Sequence, residues 1–488
     1  MTTSDPITAA EQAIVAEHQI HEKIVNEEFK IWKKTVPLLY DTIHTLALQY
    51  PLLAVDFFPA YSVSDDKNHI AVSLAVGTNS SGNDQDYIHV VEASLPSTLA
   101  PNFADFAVGE SLPILTSASG NALKITLLWK HPGEGNTVRV LPDGTKVASF
   151  DNKGTIHVYT IGQDAYQSFL YHTFEGYCLE WVSDLLFLSG ANDSKIGLWD
   201  IASRSSPTKK FNTHTAVINS LSYNKASKVL FGSVADDFST QIHDLRAPEQ
   251  SPAIKITEKF VQNVILFHPS IVSLFATAGK DNVVSLYDAR NIKEPLRKFY
   301  GHNGSVVGLR WGGVSEPSLL YSWGLDKCVL TYDLKYLSEE FTPPTADVGD
   351  SKRLKQSADP CLQFVHGGHI RRINDLALHP TIPNLFASVG DDCLLEVYKP
   401  KIVLGHSEDA EDSDAKEESE KEKTEMEEED DNDEQAEKPD ANDMDVDQDN
   451  DEDTVREEDD ENNYDIGKKA VKEEGDVADQ DEEETPAE

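Results

Sequence analysis

A beat of 40–45 residues runs through most of this 488-residue chain. From about Leu127 to Tyr398, short apolar strands end in an aromatic or His, most followed by an acid: Tyr159, Trp199-Asp200, His243-Asp244, Tyr287-Asp288, Tyr332-Asp333 and Tyr398. The closing residues lie 40, 44, 44, 45 and 66 positions apart. A period of that length holds one four-stranded β-propeller blade, and a lone blade cannot bury its faces, so neighbours must stack into a ring.

Two further beats fall inside each period. Segments such as Ser189–Asp193, Ser233–Asp237, Thr277–Asp281, Ser322–Asp326 and Ser388–Asp392 place small residues at a strand end and an Asp in the turn that follows. A His stands near each blade start, at His131, His172, His214, His302 and His369, and the repeat beginning near Ile256 lacks one. A His and Asp recurring at one spacing resemble catalytic pairs. Their recurrence from repeat to repeat instead predicts a buried hydrogen-bond network that fixes the blade, incomplete where the His is missing. Trp199-Asp200 is the single intact WD dipeptide. The reading is all-β: a seven-bladed WD40 propeller over 49–404, preceded by a flexible stretch (1–21) and an N-terminal α-helix (22–48), and followed by a disordered acidic tail (405–488).

Ile24, Val25, Ile31, Trp32, Leu39 and Ile43 share one apolar helical stripe, with Pro37 marking a bend or a second helix. Leu52–Phe58, Ile70–Gly77 and Tyr87–Ala93 read as strands of an opening blade. The first of them has an alternative place, completing the last blade and so closing the ring. The oversized last interval carries a Pro-, Asp- and Ser-rich insertion over 339–359, a long loop of the kind that carries function.

Charge is unevenly spread. From Ser407 onward, 41 acids face 8 bases, a net of −33, against −10 for residues 1–406. The tail has almost no aromatic or β-branched content and cannot bury enough surface to offset its ordering entropy. Its readings are a solubilising segment or an electrostatic lure for a basic partner. Asp445–Asp451 mimics a calcium loop but lacks the sixth-position Gly. The four cysteines are scattered without a CxxC, so neither a disulfide framework nor a zinc site is expected, and no metal or cofactor. His366-Gly-Gly-His369 reads as a strand-to-strand turn rather than a metal pair. No hydrolase, zincin, P-loop or dinucleotide signature occurs, and the expectation is a non-enzyme. With no apolar stretch approaching 18 residues, a soluble intracellular protein is expected. The acidic body and tail disfavour nucleic acid.

Asn26-Glu-Glu-Phe-Lys-Ile-Trp-Lys-Lys34 with Pro37–Asp41, Glu175–Trp181, Gly190–Trp199, Leu230–Asp237 and Phe364–His369 resemble motifs of the retinoblastoma-binding, nucleosome-remodelling-factor group of WD40 proteins. The resemblance covers about residues 22–400 and is most specific in the helix. It implies a non-catalytic, nuclear (also cytoplasmic) histone-binding subunit of chromatin-assembly, acetyltransferase or deacetylase complexes, with histones H3 and H4 and larger subunits as partners. It implies a groove for the first helix of histone H4, formed by Leu38, Leu39 and Ile43 on the helix and Asp359 and Pro360 at the insertion's end. It also implies a top-face site for the basic H3 tail, at Tyr50, Glu134, Asn136, Glu175, Tyr177, Asn263 and Asp391. Three departures weaken that second site: Gln49-Tyr50-Pro51 replaces Glu-Trp-Pro, and Asn219 and Ser305 stand where acids are expected. A generic WD40 adaptor, of ubiquitin-ligase or ribosome-assembly type, would explain the blades and tail but not the helix motif.

Overall fold

The computed structural model describes residues 6–65, 67–103, 122–203, 206–248, 251–313, 316–339, 341 and 358–401, without the side chains of 6–18 and 21. The tail and most of the insertion, including Asp347 and Asp350, lie outside the described residues.

Among the described residues the strands form seven four-stranded antiparallel sheets. Blade 1 has the longest strands (Leu52–Val63, His69–Thr78, Tyr87–Pro96, Leu123–Lys130), and blades 2 to 6 follow in chain order over 137–170, 176–211, 218–257, 262–299 and 306–366. Blade 7 takes three strands from Ile373–Leu378, Phe386–Gly390 and Leu394–Pro400, and its outermost strand, Tyr40–Ala47, from the start of the chain. That strand pairs antiparallel with the last, Ile43 opposite Tyr398 and Leu46 opposite Leu395. The ring is therefore closed by hydrogen bonds between its first and last strands, and no blade edge is left at the seam.

The closing strand corrects two expectations. Leu52–Val63 does not complete the last blade but is the innermost strand of the first. Ile43 is not on the helix, because helix α1 (Pro6–Leu39) ends four residues earlier. Leu39, Ile43 and Leu46 keep helical spacing, yet Thr42, Ile43 and Thr45 are β-branched and favour the strand once Leu394–Pro400 offers a pairing edge. Pro37 sits in the last turn of α1. Lys401 covers the helix end, its backbone N–H donating to the Leu39 carbonyl (2.8 Å) and its Nζ to the Pro37 carbonyl (3.3 Å).

The predicted network is present. In blade 3, His172 bonds to Asp193 (3.0 Å) and to Ser189 Oγ (2.8 Å), which also accepts from Trp199 Nε1 (2.8 Å). His214, His302 and His369 repeat the Asp and Ser contacts in blades 4, 6 and 7. Blade 2 departs from the pattern: Asp151 pairs with His157, while His131 bonds to Ser149. In blade 5, which has no such His, Thr277 Oγ1 and one oxygen of Asp281 are buried without a partner, as an incomplete network requires.

Candidate functional site

Two surfaces stand apart from the blade cores. The first is the outer side of α1. Val25, Phe29, Trp32, Val36 and Leu39 recur every three or four residues and are half-buried, whereas Ile24, Ile31 and Leu38 are 51%, 63% and 75% exposed. The docked stripe is held by polar as well as apolar contacts. Trp32 Nε1 donates to the Tyr40 hydroxyl (3.0 Å), which lies 2.8 Å from His366 Nδ1. Trp32 also packs edge-on against His366 at 5.8 Å. His366 is stacked on Tyr398 at 3.9 Å and its Nε2 faces Glu396 Oε2 at 3.1 Å, out of line for a good hydrogen bond. His366, His369 and Glu396 do bring ligand-type atoms within 4.8 Å of one another. Both nitrogens of His369 are nevertheless committed to Asp392 and Ser388, as in the sister blades, so the cluster works as a buried node between helix and blade 7.

The stem of the insertion is clamped on the outer strand of blade 5. Asp359 is 4% exposed; it accepts from Arg297 (3.2 Å) and from the backbone N–H of Tyr300 (3.0 Å) and Cys361 (3.1 Å). Phe341, at the other end, lies under the Arg297 guanidinium (5.3 Å) and against Tyr300 (5.8 Å). The carboxylate of Asp359 therefore anchors the loop and is not presented to a partner, which corrects its expected role as a groove acid. Pro360 is half-buried beside it. Leu38 is the expected groove residue most open to solvent; Leu39 and Ile43 join the cluster that holds the helix against blades 6 and 7.

The second surface is the channel mouth on the face where the His and Asp turns lie. The innermost strands of six blades carry a β-bulge near their start, at Leu52/Ala54, Gly176/Cys178, Ile218/Ser220, Gln262/Val264, Val306/Gly308 and Ile373/Asp375. The residues skipped in pairing are Leu53, Tyr177, Asn219, Asn263, Val307 and Asn374. A bulge re-aims its extra side chain, and all six line one cavity of about 520 Å³, with Asn136 of blade 2 in the seventh place. The ring carries no charge. Three of its amides join adjacent blades: Asn219 donates to the Gln262 carbonyl (3.1 Å), Asn263 to Val306 (2.7 Å) and Asn374 to Leu52 (2.8 Å). Asn219 thus replaces the expected acid with an inter-blade tie. Asn136 Nδ2 is buried in the cavity without a partner.

The acids of this face are mostly engaged. Asp391 pairs with Arg372 at 2.6 Å and accepts from Asn374 at 2.8 Å. Glu175 accepts from Asn192 (3.1 Å). Burial, and then the charge of Glu175, pushes the Tyr177 phenol up to about 12. Burial, followed by the charge of Asp86, raises the carboxyl of Glu134, which also feels Glu175. Tyr50 bonds to Asp84 across the blade 1 rim (3.3 Å). Glu134, Asn136, Glu175 and Tyr177 therefore gather on blades 2 and 3, with Asn263 and Asp391 around the ring. Sequence reasoning missed the bulge ring, because a bulge is a property of pairing register that no spacing along one strand reveals, and it missed Arg372 and Lys280, which line the same cavity.

A closed seven-bladed ring whose channel mouth carries a bulge ring of amide side chains, with an apolar-faced helix clamped to its side, is a WD40 scaffold. Residues 27–97 match the family model for histone-binding protein RBBP4 and the corresponding subunit of the CAF1 complex. A Candida glabrata protein named histone acetyltransferase type B subunit 2 is 31% identical over 407 residues, covering 80% of this chain and 92% of its own length. A Schizosaccharomyces pombe protein of the same name is 32% identical over 410 residues, covering 78% of this chain and 92% of its own. A Kluyveromyces lactis protein of that name is 28% identical over 393 residues, covering 77% of this chain and 92% of its own. The chain belongs to the histone acetyltransferase type B subunit 2 family.

Proposed function

We propose that this protein is a non-catalytic histone-binding subunit of a nuclear chromatin complex, which seats the first helix of histone H4 between α1 and the insertion and the basic tail of histone H3 at the channel mouth. The exposed apolar face of α1 carries the reading. Ile31 and Leu38 stand seven residues apart on a helix already fixed on its opposite side, and they remain open to solvent. Apolar side chains presented from a rigid element are what an amphipathic helix needs for its anchors. Arg and Lys of such a histone helix would meet the acids of the insertion and of the body, which is net negative. Acetyl transfer belongs, in this reading, to a partner subunit: the His–Asp pairs that resemble catalytic dyads are buried cross-links of the blades. The same negative charge argues against direct contact with nucleic acid.

Calorimetric titration of the full chain with a peptide of the first H4 helix tests the groove. Leu38→Asp should weaken binding by about thirtyfold, the loss of roughly 2 kcal/mol at an interface anchor. Because Leu38 is 75% exposed, circular dichroism and thermal stability should not change. Equal affinities for the two proteins would move the H4 contact away from α1.

A further inference from the structure

In blades 3, 4, 6 and 7 the residue five places before the bulge of the innermost strand is a His: His172, His214, His302 and His369. Each imidazole joins a Ser hydroxyl, at 2.6–2.8 Å, to an Asp carboxylate, at 2.8–3.1 Å. Five places before Asn263, the bulge residue of blade 5, stands Glu258. Thr277 and Asp281 hold the Ser and Asp positions of that blade. Thr277 lies between Ile265 and Ser285 in the register that sets Ser189 between Leu179 and Gly197. An acid has therefore replaced the base of the node. Glu258 does not restore the bridge, because its Oε1 accepts from the Tyr287 hydroxyl (3.1 Å). Thr277, 1% exposed, and Asp281 each keep a buried side-chain oxygen, Oγ1 and Oδ1, without a hydrogen-bond partner.

We infer that Glu258, Asp281 and Thr277 form a metal site between the strands of blade 5, taking a hard divalent cation, calcium before magnesium, where the other blades place an imidazole. Two observations point to such a ligand. The first is the pair of buried oxygens left at the positions that an imidazole joins elsewhere, one of them the Thr277 hydroxyl. A buried polar atom needs a partner, and in this node that partner is not a side chain. The second is charge. Burial raises the carboxyls of Glu258 and Asp281, and the charge of Asp281 raises Glu258 further. Lys298 acts against both shifts, but it is exposed on the outer strand and leaves both carboxyls raised. Two carboxylates brought together in a half-buried place favour a species that brings positive charge between them. The donors are all oxygens, which suits hard cations. Calcium accepts an irregular oxygen set completed by water, whereas magnesium demands a near-ideal octahedron. A divalent ion also balances two carboxylates. No spacing of Cys or His could have announced a site of this kind, since it contains neither.

Calorimetric unfolding of the chelator-treated full chain, with calcium chloride titrated in, tests the site. Calcium at about tenfold its dissociation constant should raise the wild-type midpoint by about 2 °C. Glu258→Gln keeps an acceptor for the Tyr287 hydroxyl and removes one charge, and should lose at least half of that shift. Glu258→His rebuilds the node of the other blades. Its midpoint without metal should lie above the wild type's, and calcium should leave it unchanged. The acids of the tail are common to all three proteins and cancel in the comparison. A wild type that calcium does not shift overturns the inference, as does a shift of equal size in the wild type and either variant. Terbium, which substitutes for calcium, supplies a local readout. Its luminescence, excited through the Tyr287 ring beside Glu258, should appear in the wild type, be displaced by calcium and weaken in both Glu258→Gln and Tyr287→Phe. Emission unchanged by both substitutions places the cation elsewhere and overturns the inference.

Discussion

Burial sets the protonation of single imidazoles here more than any partner does. It pushes His131 down to about 4, His243 to about 3 and His379 to about 4. His44, His89, His214, His268 and His366 are lowered for the same leading reason. His369 moves the other way: burial lowers it, but the hydrogen bond to Asp392 and the charge of Glu396 outweigh burial. A lowered imidazole is neutral in the fold and takes up a proton on unfolding. Its contribution is complete above the ordinary value near 6.5 and is lost as pH falls towards the folded value. For His131 alone the loss at pH 5 amounts to about 2 kcal/mol. Eight lowered imidazoles against one raised predict that the calorimetric unfolding midpoint drops from pH 7 to pH 5. A flat or rising midpoint over that interval would contradict the buried, neutral assignment of these side chains. The Asp residues in the turns were legible as structural from their recurrence. Asp359 was not, because its partner Arg297 lies 62 residues away on a neighbouring blade.

At the scale of elements, the helix and the strand after it form one device. The repeats and their His and Asp beats could be read from spacing, but the docked stripe of α1 only in Val25, Trp32 and Leu39: Ile24 and Ile31 face solvent, and Phe29 and Val36 dock in their place. The switch from helix to strand at Tyr40 could not, since Leu39, Ile43 and Leu46 keep helical spacing and the deciding edge, Leu394–Pro400, lies at the far end of the propeller. Tyr40 is the hinge of the device, with its hydroxyl between Trp32 Nε1 and His366 Nδ1. Tyr40→Phe keeps the ring packing and leaves two polar atoms of the interface without their partner, a cost of about 1–3 kcal/mol. The expected result is faster hydrogen exchange in the last turns of α1, with the inner strands of all blades unchanged. Uniformly faster exchange would show that the hydroxyl supports the whole ring, and no change would show that apolar contacts alone hold the helix.

For the whole molecule, the decisive contact is the seam. Each inner blade is covered on both faces by its neighbours, and the hydrophobic clusters pass from one blade to the next: one joins blades 7 and 1 through Val55, Leu74, Leu385 and Val397, another joins blades 6 and 7 through Leu319, Tyr321, Phe386 and Tyr398. Blade 7 is completed by Tyr40–Ala47, so the N-terminal segment is both wall of the candidate groove and closing strand of the ring. Two deletions separate those roles. Removing residues 1–22 leaves the docked stripe Val25–Leu39 and the closing strand in place, and should preserve the cooperative unfolding and most of the thermal stability. Removing residues 1–47 strips the outer strand from blade 7, exposes the backbone edge of Leu394–Pro400 and uncovers Tyr398, 1% exposed in the intact ring. An unpaired apolar edge is a template for another chain. The shorter protein should therefore unfold at a lower temperature and associate in a concentration-dependent way, seen by light scattering. If it instead remains monomeric with an unchanged midpoint, ring closure does not depend on the seam, and the inter-blade clusters alone hold the propeller shut.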